Sequence, residues 1–380
     1  MTQGARLAAF IPGVQMRFSI SRRLLRVSLF FVVTISGTSM LPVEVPTAQA
    51  SSSEITLPAD NASPDLSTGS VFFIGNATVL IRYGGMTILT DPNFIHRHGQ
   101  VPLGYGLDAT RLRNPAIEID ELPPLDLIVL SHFHGDHFDQ VAERKLNKSL
   151  PIVTTPEAAE ELNERGFNNT RALTTWSSLT VEKGVVDLRV TSMPGRHGPP
   201  LSDLVLPEVM GSLLEFHSKA GTFQLYITGD TLVIDELKQI SRRYPNVDLA
   251  LLHLGGTRVL GIMLTMDGKQ GVQMMQMVDP KYAIPIHYND YDVMKSPLLD
   301  FKLEVKAAGL QDRVHYLDRG ETYTFKPLSE HANSRHGVSN VHSGSALLHG
   351  LTSRPNSLAR PRLSSVLWNH SEKRMRQDVP

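Results

Sequence analysis

Residues 131–138 read Ser-His-Phe-His-Gly-Asp-His-Phe, which places three imidazoles and a carboxylate within six positions. They follow the apolar run Leu127-Ile128-Val129-Leu130, the pattern of a buried strand. Nitrogen and oxygen donors at this density point to metal-assisted hydrolysis. His132 and His134 have the same parity, so an extended chain aims both rings one way. Asp136 and His137 lie just past the strand, where the chain turns and can aim at a second point close by. One loop could therefore serve two cations.

A catalytic centre of this kind needs further ligands and an open position for water. Three other segments end a strand pattern on a suitable group. Val186-Asp187-Leu188-Arg189-Val190 alternates and runs into Met193-Pro194-Gly195-Arg196-His197. Phe223-Gln224-Leu225-Tyr226-Ile227 alternates and ends at Thr228-Gly229-Asp230-Thr231. The short apolar run Tyr282–Ile286 ends at His287. Delivery of His197, Asp230 and His287 from strand ends converges on one edge of a sheet.

The order His-x-His-x-Asp-His, then His, then Gly-Asp-Thr, then His resembles the metallo-β-lactamase fold superfamily. Asp91-Pro92 after Met86–Thr90 is similar to its early strand and loop. The stretch Thr257–Tyr288 resembles the branch holding L-ascorbate-6-phosphate lactonase and N-acyl-phosphatidylethanolamine phospholipase D. The resemblance covers about residues 69–326. It implies an α/β fold, the four-layer αββα metallo-β-lactamase sandwich. It also implies that His132, His134 and His197 hold one metal, that Asp136, His137 and His287 hold a second, and that Asp230 bridges them.

The donors are imidazole and carboxylate only, which suits zinc and also manganese or iron. Two divalent ions about 3.5–4 Å apart would lower the pKa of a bridging water, and the resulting hydroxide would attack an ester, lactone or phosphodiester. Asp136 would be both ligand and proton acceptor, and His253 would protonate the leaving group. Asp91 would orient a ligand histidine from behind, or begin a turn with Pro92. Arg258, after Gly255-Gly256, would clamp an anionic substrate. Unspecified hydrolase, lactonase and phospholipase D-like phosphodiesterase rank in that order. A metal-binding sensor that keeps the fold without turnover is the rival, and the full ligand set speaks against it.

The chain has 380 residues, is 41% hydrophobic, carries a net charge of −1 and contains no cysteine. That length supports one substantial domain plus dispensable ends. Near-neutral charge argues against nucleic acid as a partner, which calls for a basic field. A small-molecule or lipid substrate is the expected partner, and the letters leave the oligomeric state open.

Ser21-Arg22-Arg23-Leu24-Leu25-Arg26 precedes the apolar run Val27–Ile35, and Ala48-Gln49-Ala50 offers small residues for cleavage. Residues 1–50 therefore resemble a twin-arginine export signal, giving a periplasmic or extracellular product; an uncleaved N-terminal membrane anchor is the alternative. The apolar core is too short for a good span. Residues 51–68 read as a flexible lead-in, 69–326 as the hydrolase domain, and 327–380 as a disordered tail. Within the domain, residues 93–124 read as a long irregular loop. Leu232–Tyr244, Pro156–Arg165 and Ser296–Ala308 read as helices. Another helix opens near Asp267, capped by Asp267 and Gln270, with Met274, Met275 and Met277 toward a core. Arg313–Leu317 and Thr322–Phe325 read as closing strands.

Overall fold

Alternating apolar segments become strands, and the ends of those strands define the molecule. The computed structural model describes residues 53–60, 63–104, 107–202 and 205–327. Residues 1–50, where an export signal is expected, and the stretch from residue 328 lie outside the described residues.

In chain order the strands begin with β1 (Ser53–Leu57), β2 (Gly69–Gly75), β3 (Thr78–Tyr83), β4 (Met86–Thr90), β5 (Gln100–Gly104), β6 (Leu107–Thr110), β7 (Leu127–Val129), β8 (Ile152–Thr154) and β9 (Thr170–Ala172). They continue as β10 (Ser178–Lys183), β11 (Val186–Met193), β12 (Gly211–Ser218), β13 (Gly221–Ile227), β14 (Leu249–His253), β15 (Arg258–Val259), β16 (Ile262–Met263), β17 (Tyr282–Ile286) and β18 (Thr322–Phe325). The helices are α1 (Gln140–Lys145), α2 (Pro156–Glu164), α3 (Lys238–Arg243), α4 (Gly268–Val278) and α5 (Leu298–Ala307).

Two seven-stranded sheets carry the fold, in the orders β1-β10-β11-β12-β13-β14-β17 and β18-β2-β3-β4-β7-β8-β9. Their facing sides share one core, with Val71, Ile81, Ile88 and Val129 from one sheet against Leu188, Leu214, Leu225 and Leu251 from the other. A second core packs the outside of the first sheet against α3, α4 and α5 through Tyr226, Ile240, Val272 and Phe301. A third packs the outside of the other sheet against α1 and α2 through Leu130, Ala142 and Leu162. Helix, sheet, sheet, helix is the αββα sandwich.

Local chemistry explains the boundaries. Gly84 and Gly85 have φ of 58° and 86°, which joins β3 to β4 by a tight turn that L-residues disfavour. Thr155 caps α2 by accepting from the Ala158 amide, with Pro156 in the first turn. Gly268 and Gly271 let α5 lie close: a Cβ at Gly268 would sit 2.5 Å from the Phe301 nitrogen.

Several expectations are corrected. Residues 53–57 are a strand, parallel to β10, so part of the lead-in extends the first sheet. The supposed loop 93–124 contains the β5–β6 hairpin and a 3₁₀ turn at Ile119–Glu121. Leu232–Tyr244 is helical only from Asp235, and ahead of it Thr231 Oγ1 accepts from the Arg196 amide. Asp267 does cap α4, but the Gln270 side chain accepts from the Val233 amide instead of closing the box. Arg313–Leu317 is not a strand: a 3₁₀ turn over Gln311–Arg313 leads into it, and Val314 makes a single bridge to Ala283. Met274 and Met275 are buried in the second core. Among the described residues, no helix is long and apolar enough to cross a membrane.

Candidate metal centre

The parallel strands β4, β7, β13, β14 and β17 all stop at one edge of the sandwich. Asp91 follows β4, His132–His137 follow β7, Asp230 follows β13, His253 ends β14 and His287 follows β17. His197 follows β11 at the same edge. The backbone at Asp91 (φ 34°) and His287 (φ 57°) is left-handed, so both side chains are presented at a conformational cost.

The expected metal ligands fall into two sets, each with its ligand atoms within 4.8 Å of one another: His132, His134 and His197, and then Asp136, His137, Asp230 and His287. In the first, His134 Nδ1 lies 3.1 Å from His132 Nε2 and 3.3 Å from His197 Nε2. In the second, His137 Nε2 is 3.1 Å from Asp230 Oδ2, and His287 Nε2 is 3.3 Å from Asp136 Oδ2. His134 is the half-buried member, so the centre opens on its side.

The rings are aimed by groups behind them. A carbonyl can only accept, so His197 Nδ1–H donates to Leu264 O at 3.0 Å and His287 Nδ1–H donates to Leu254 O at 3.3 Å. Both Nε2 atoms thereby face the cluster: that of His197 as a lone-pair donor, that of His287 able to become one by giving up its proton. Asp91 accepts from the Ser131 amide at 2.7 Å, and its other oxygen lies 3.4 Å from both His137 Nδ1 and His253 Nε2. Asn76, overlooked in the sequence, donates through Nδ2 to Asp136 O and accepts from the His287 amide. Its own amide donates to Asp290, which also meets Arg111 at 3.2 Å and Arg319 at 2.6 Å. A Gly-Asn step after a strand, and an aspartate three residues past a ligand histidine, were the available signals.

The electrostatics call for cations. Burial alone would raise the acids, yet His287 and His137 hold Asp230 well below its ordinary range, and His137 and His287 do the same for Asp136. Burial would lower His137, but Asp230 and Asp136 raise it well above the usual value; Asp230 and Asp136 likewise raise His287. Without metal, protons on these two rings supply the positive charge the carboxylates demand. The other set is the reverse. Burial, then the neighbouring rings, push His132 well below its ordinary range, and His134 is lowered to about 3 by burial and then His197. Neutral rings with converging lone pairs are metal donors. Asp230 Oδ1 is buried with no hydrogen-bond partner. That orphaned oxygen and the converging nitrogens fit divalent ions.

Two further expected site residues lie outside the two ligand sets. His253 is fully buried, stacked on His137 with ring centroids 6.0 Å apart, and its Nδ1 faces Thr228 Oγ1. It lies behind His137, between Asp91 and Thr228. Arg258 is exposed on the β15–β16 hairpin, where its guanidinium donates to Gly261 O and meets Met263 Sδ. None of these contacts reaches the ligand cluster.

Residues 87–288 match the β-lactamase superfamily domain. The chain belongs to that superfamily. A superfamily relative in Archaeoglobus fulgidus, named a metal-dependent hydrolase, is 27% identical over 266 residues, spanning 67% of this chain and 98% of the relative. Another so named in Methanopyrus kandleri is 24% identical over 253 residues, with 67% and 98% covered. Two solved structures share the superfamily's metallo-β-lactamase fold with it. An isothiocyanate hydrolase from Delia radicum gut bacteria superposes with a TM-score of 0.57 at 21% identity, over 68% of this chain and 99% of that one. A possible metal-dependent hydrolase from Veillonella parvula gives 0.58 at 22%, over 68% and 100%.

Proposed function

We propose that this protein is a binuclear metal-dependent hydrolase that cleaves an ester, lactone or phosphodiester bond. Membership of the superfamily and relatives named metal-dependent hydrolases support the coarser reading, hydrolysis with a metal. The finer reading is supported by one observation: beside the trio His132, His134 and His197 stands a second ligand set that includes Asp230, whose Oδ2 lies 3.1 Å from His137 Nε2 while Oδ1 is buried and unpaired.

His132 Nε2, His134 Nδ1 and His197 Nε2 would hold one ion, and Asp136, His137 and His287 the other, with Asp230 shared. Bound there, divalent ions of the zinc, manganese or iron kind supply Lewis acidity and lower the pKa of a captured water toward neutrality. The chain's own residues do the rest. Leu264 O, Leu254 O and Asp91 hold the ring tautomers. Asp136, anchored through its carbonyl to Asn76, would be the carboxylate that accepts a proton there. The half-buried His134 marks the side from which substrate enters.

Metal content by mass spectrometry, with turnover on p-nitrophenyl acetate, a γ-lactone and bis-p-nitrophenyl phosphate, tests this. Two ions per chain and chelator-sensitive hydrolysis are expected. Two ions with no turnover on any would favour a sensor, and fewer than two would remove the binuclear reading.

A further inference from the structure

The two most exposed large apolar side chains among the described residues are Leu260, 87% exposed, and Leu201, 74% exposed. Both sit in left-handed backbone, with φ of 50° and 72°. A branched side chain is disfavoured there, and Gly or Asn would be the stable choice. Both belong to loops fastened to the same metal-ligand candidate. Leu201 precedes Ser202, whose Oγ donates to His197 O at 2.6 Å. Leu260 tips the β15–β16 hairpin, which runs directly into Leu264, whose carbonyl accepts from His197 Nδ1. The loops meet at Gly198, where a Cβ would lie 3.1 Å from both Leu264 Cδ2 and Ser202. Ile262, 50% exposed, extends the hairpin's apolar edge. His197 in turn touches His134, the half-buried ligand on the open side.

Local stability does not account for leucines at these positions. A protein partner does not fit either, since an interface needs about 800 Å² per side and three side chains supply far less. The size and place suit a single hydrocarbon chain leaving the centre. We propose that the hydrolysed substrate carries an aliphatic chain that lies along Leu201, Leu260 and Ile262, beside His197. This rests on the hydrolase reading above, because the chain's polar end must be the group at the metals.

The test uses the full-length, metal-loaded protein and a series of n-alkylphosphonates, methyl to octyl, with binding followed by calorimetry. Kd should fall by about two-fold per methylene beyond butyl, as for a chain half buried against the rim. The paired variant Leu201→Asn and Leu260→Asn suits the left-handed backbone and should flatten that slope with metal content and circular dichroism retained. Methylphosphonate binding with no chain-length slope in the wild type would overturn the aliphatic substrate and leave the hydrolase standing. No phosphonate binding and no bound metal would remove both. Flotation with phosphatidylcholine vesicles, without a chain-length slope, would assign the leucines to a membrane surface and overturn the proposal.

Discussion

Asp290→Asn isolates the charge network that holds the second ligand set. Asp290 is fully buried, with its Oδ2 accepting from the Asn76 amide at 2.9 Å and from Arg319 at 2.6 Å, while Arg111, also fully buried, lies 3.2 Å from Oδ1. At an effective dielectric of about 20, the Arg111 contact alone amounts to about 5 kcal/mol before desolvation. An amide keeps the shape and an acceptor but leaves two guanidiniums facing each other with nothing negative between them. Arg319 is partly exposed and regains water, so the loss should fall near the about 3–5 kcal/mol typical of breaking one buried pair. That is a large part of the about 5–15 kcal/mol that stabilises a whole domain. The second consequence is local. Asn76 loses its anchor, and with it the hold on Asp136 and His287, so metal affinity should drop about 10–100-fold. Urea unfolding of chelated protein and a competition titration for zinc measure the two effects separately. Asp292→Asn is the control, because Asp292 is exposed and its carboxylate accepts only from the Thr110 amide among the described residues. An Asp290→Asn protein with an unchanged urea midpoint and unchanged zinc affinity would refute the reasoning.

His134→Ala and Asp230→Ala should each lower bound metal and abolish hydrolysis while far-UV circular dichroism is retained; wild-type turnover in either would take that residue out of the centre. The metal-free protein should be most stable near pH 6.5. His137 and His287 are raised, so the stability they confer is present below about 6.5 and lost as pH rises through their folded values. His132, His134, His197 and His253 are lowered by burial, so the unfolded chain takes up protons that the folded chain refuses, and stability falls as pH drops below about 6.5. Each group contributes up to about 1.4 kcal/mol per pH unit in its window. Urea midpoints of chelated protein from pH 5 to 9 that rise monotonically would contradict this. For export, residues 1–50 fused to a reporter should cross the inner membrane only with Arg22-Arg23 intact; transport unaffected by a Lys-Lys replacement would exclude the twin-arginine route.

What the letters alone determined is local. The alternation in β11 and β13, the Gly84-Gly85 turn and the cap at Asp267 depend on neighbours a few positions away, so they were legible. The ligand types were legible too, because a metal needs particular donor atoms and these stand at strand ends. Direction was not. His253 ends an apolar strand just as His287 follows one, yet one ring faces Asp91 behind the centre and the other faces Asp136 within it. Arg258 looked like a clamp, and the contacts its guanidinium makes stay within its own hairpin. Asn76 and Asp290 are 214 residues apart, and Arg111 is an arginine with no surface at all. Only the stacking of two sheets brings these charges together, because burial and pairing across the sandwich are set by packing and not by the period of any one segment.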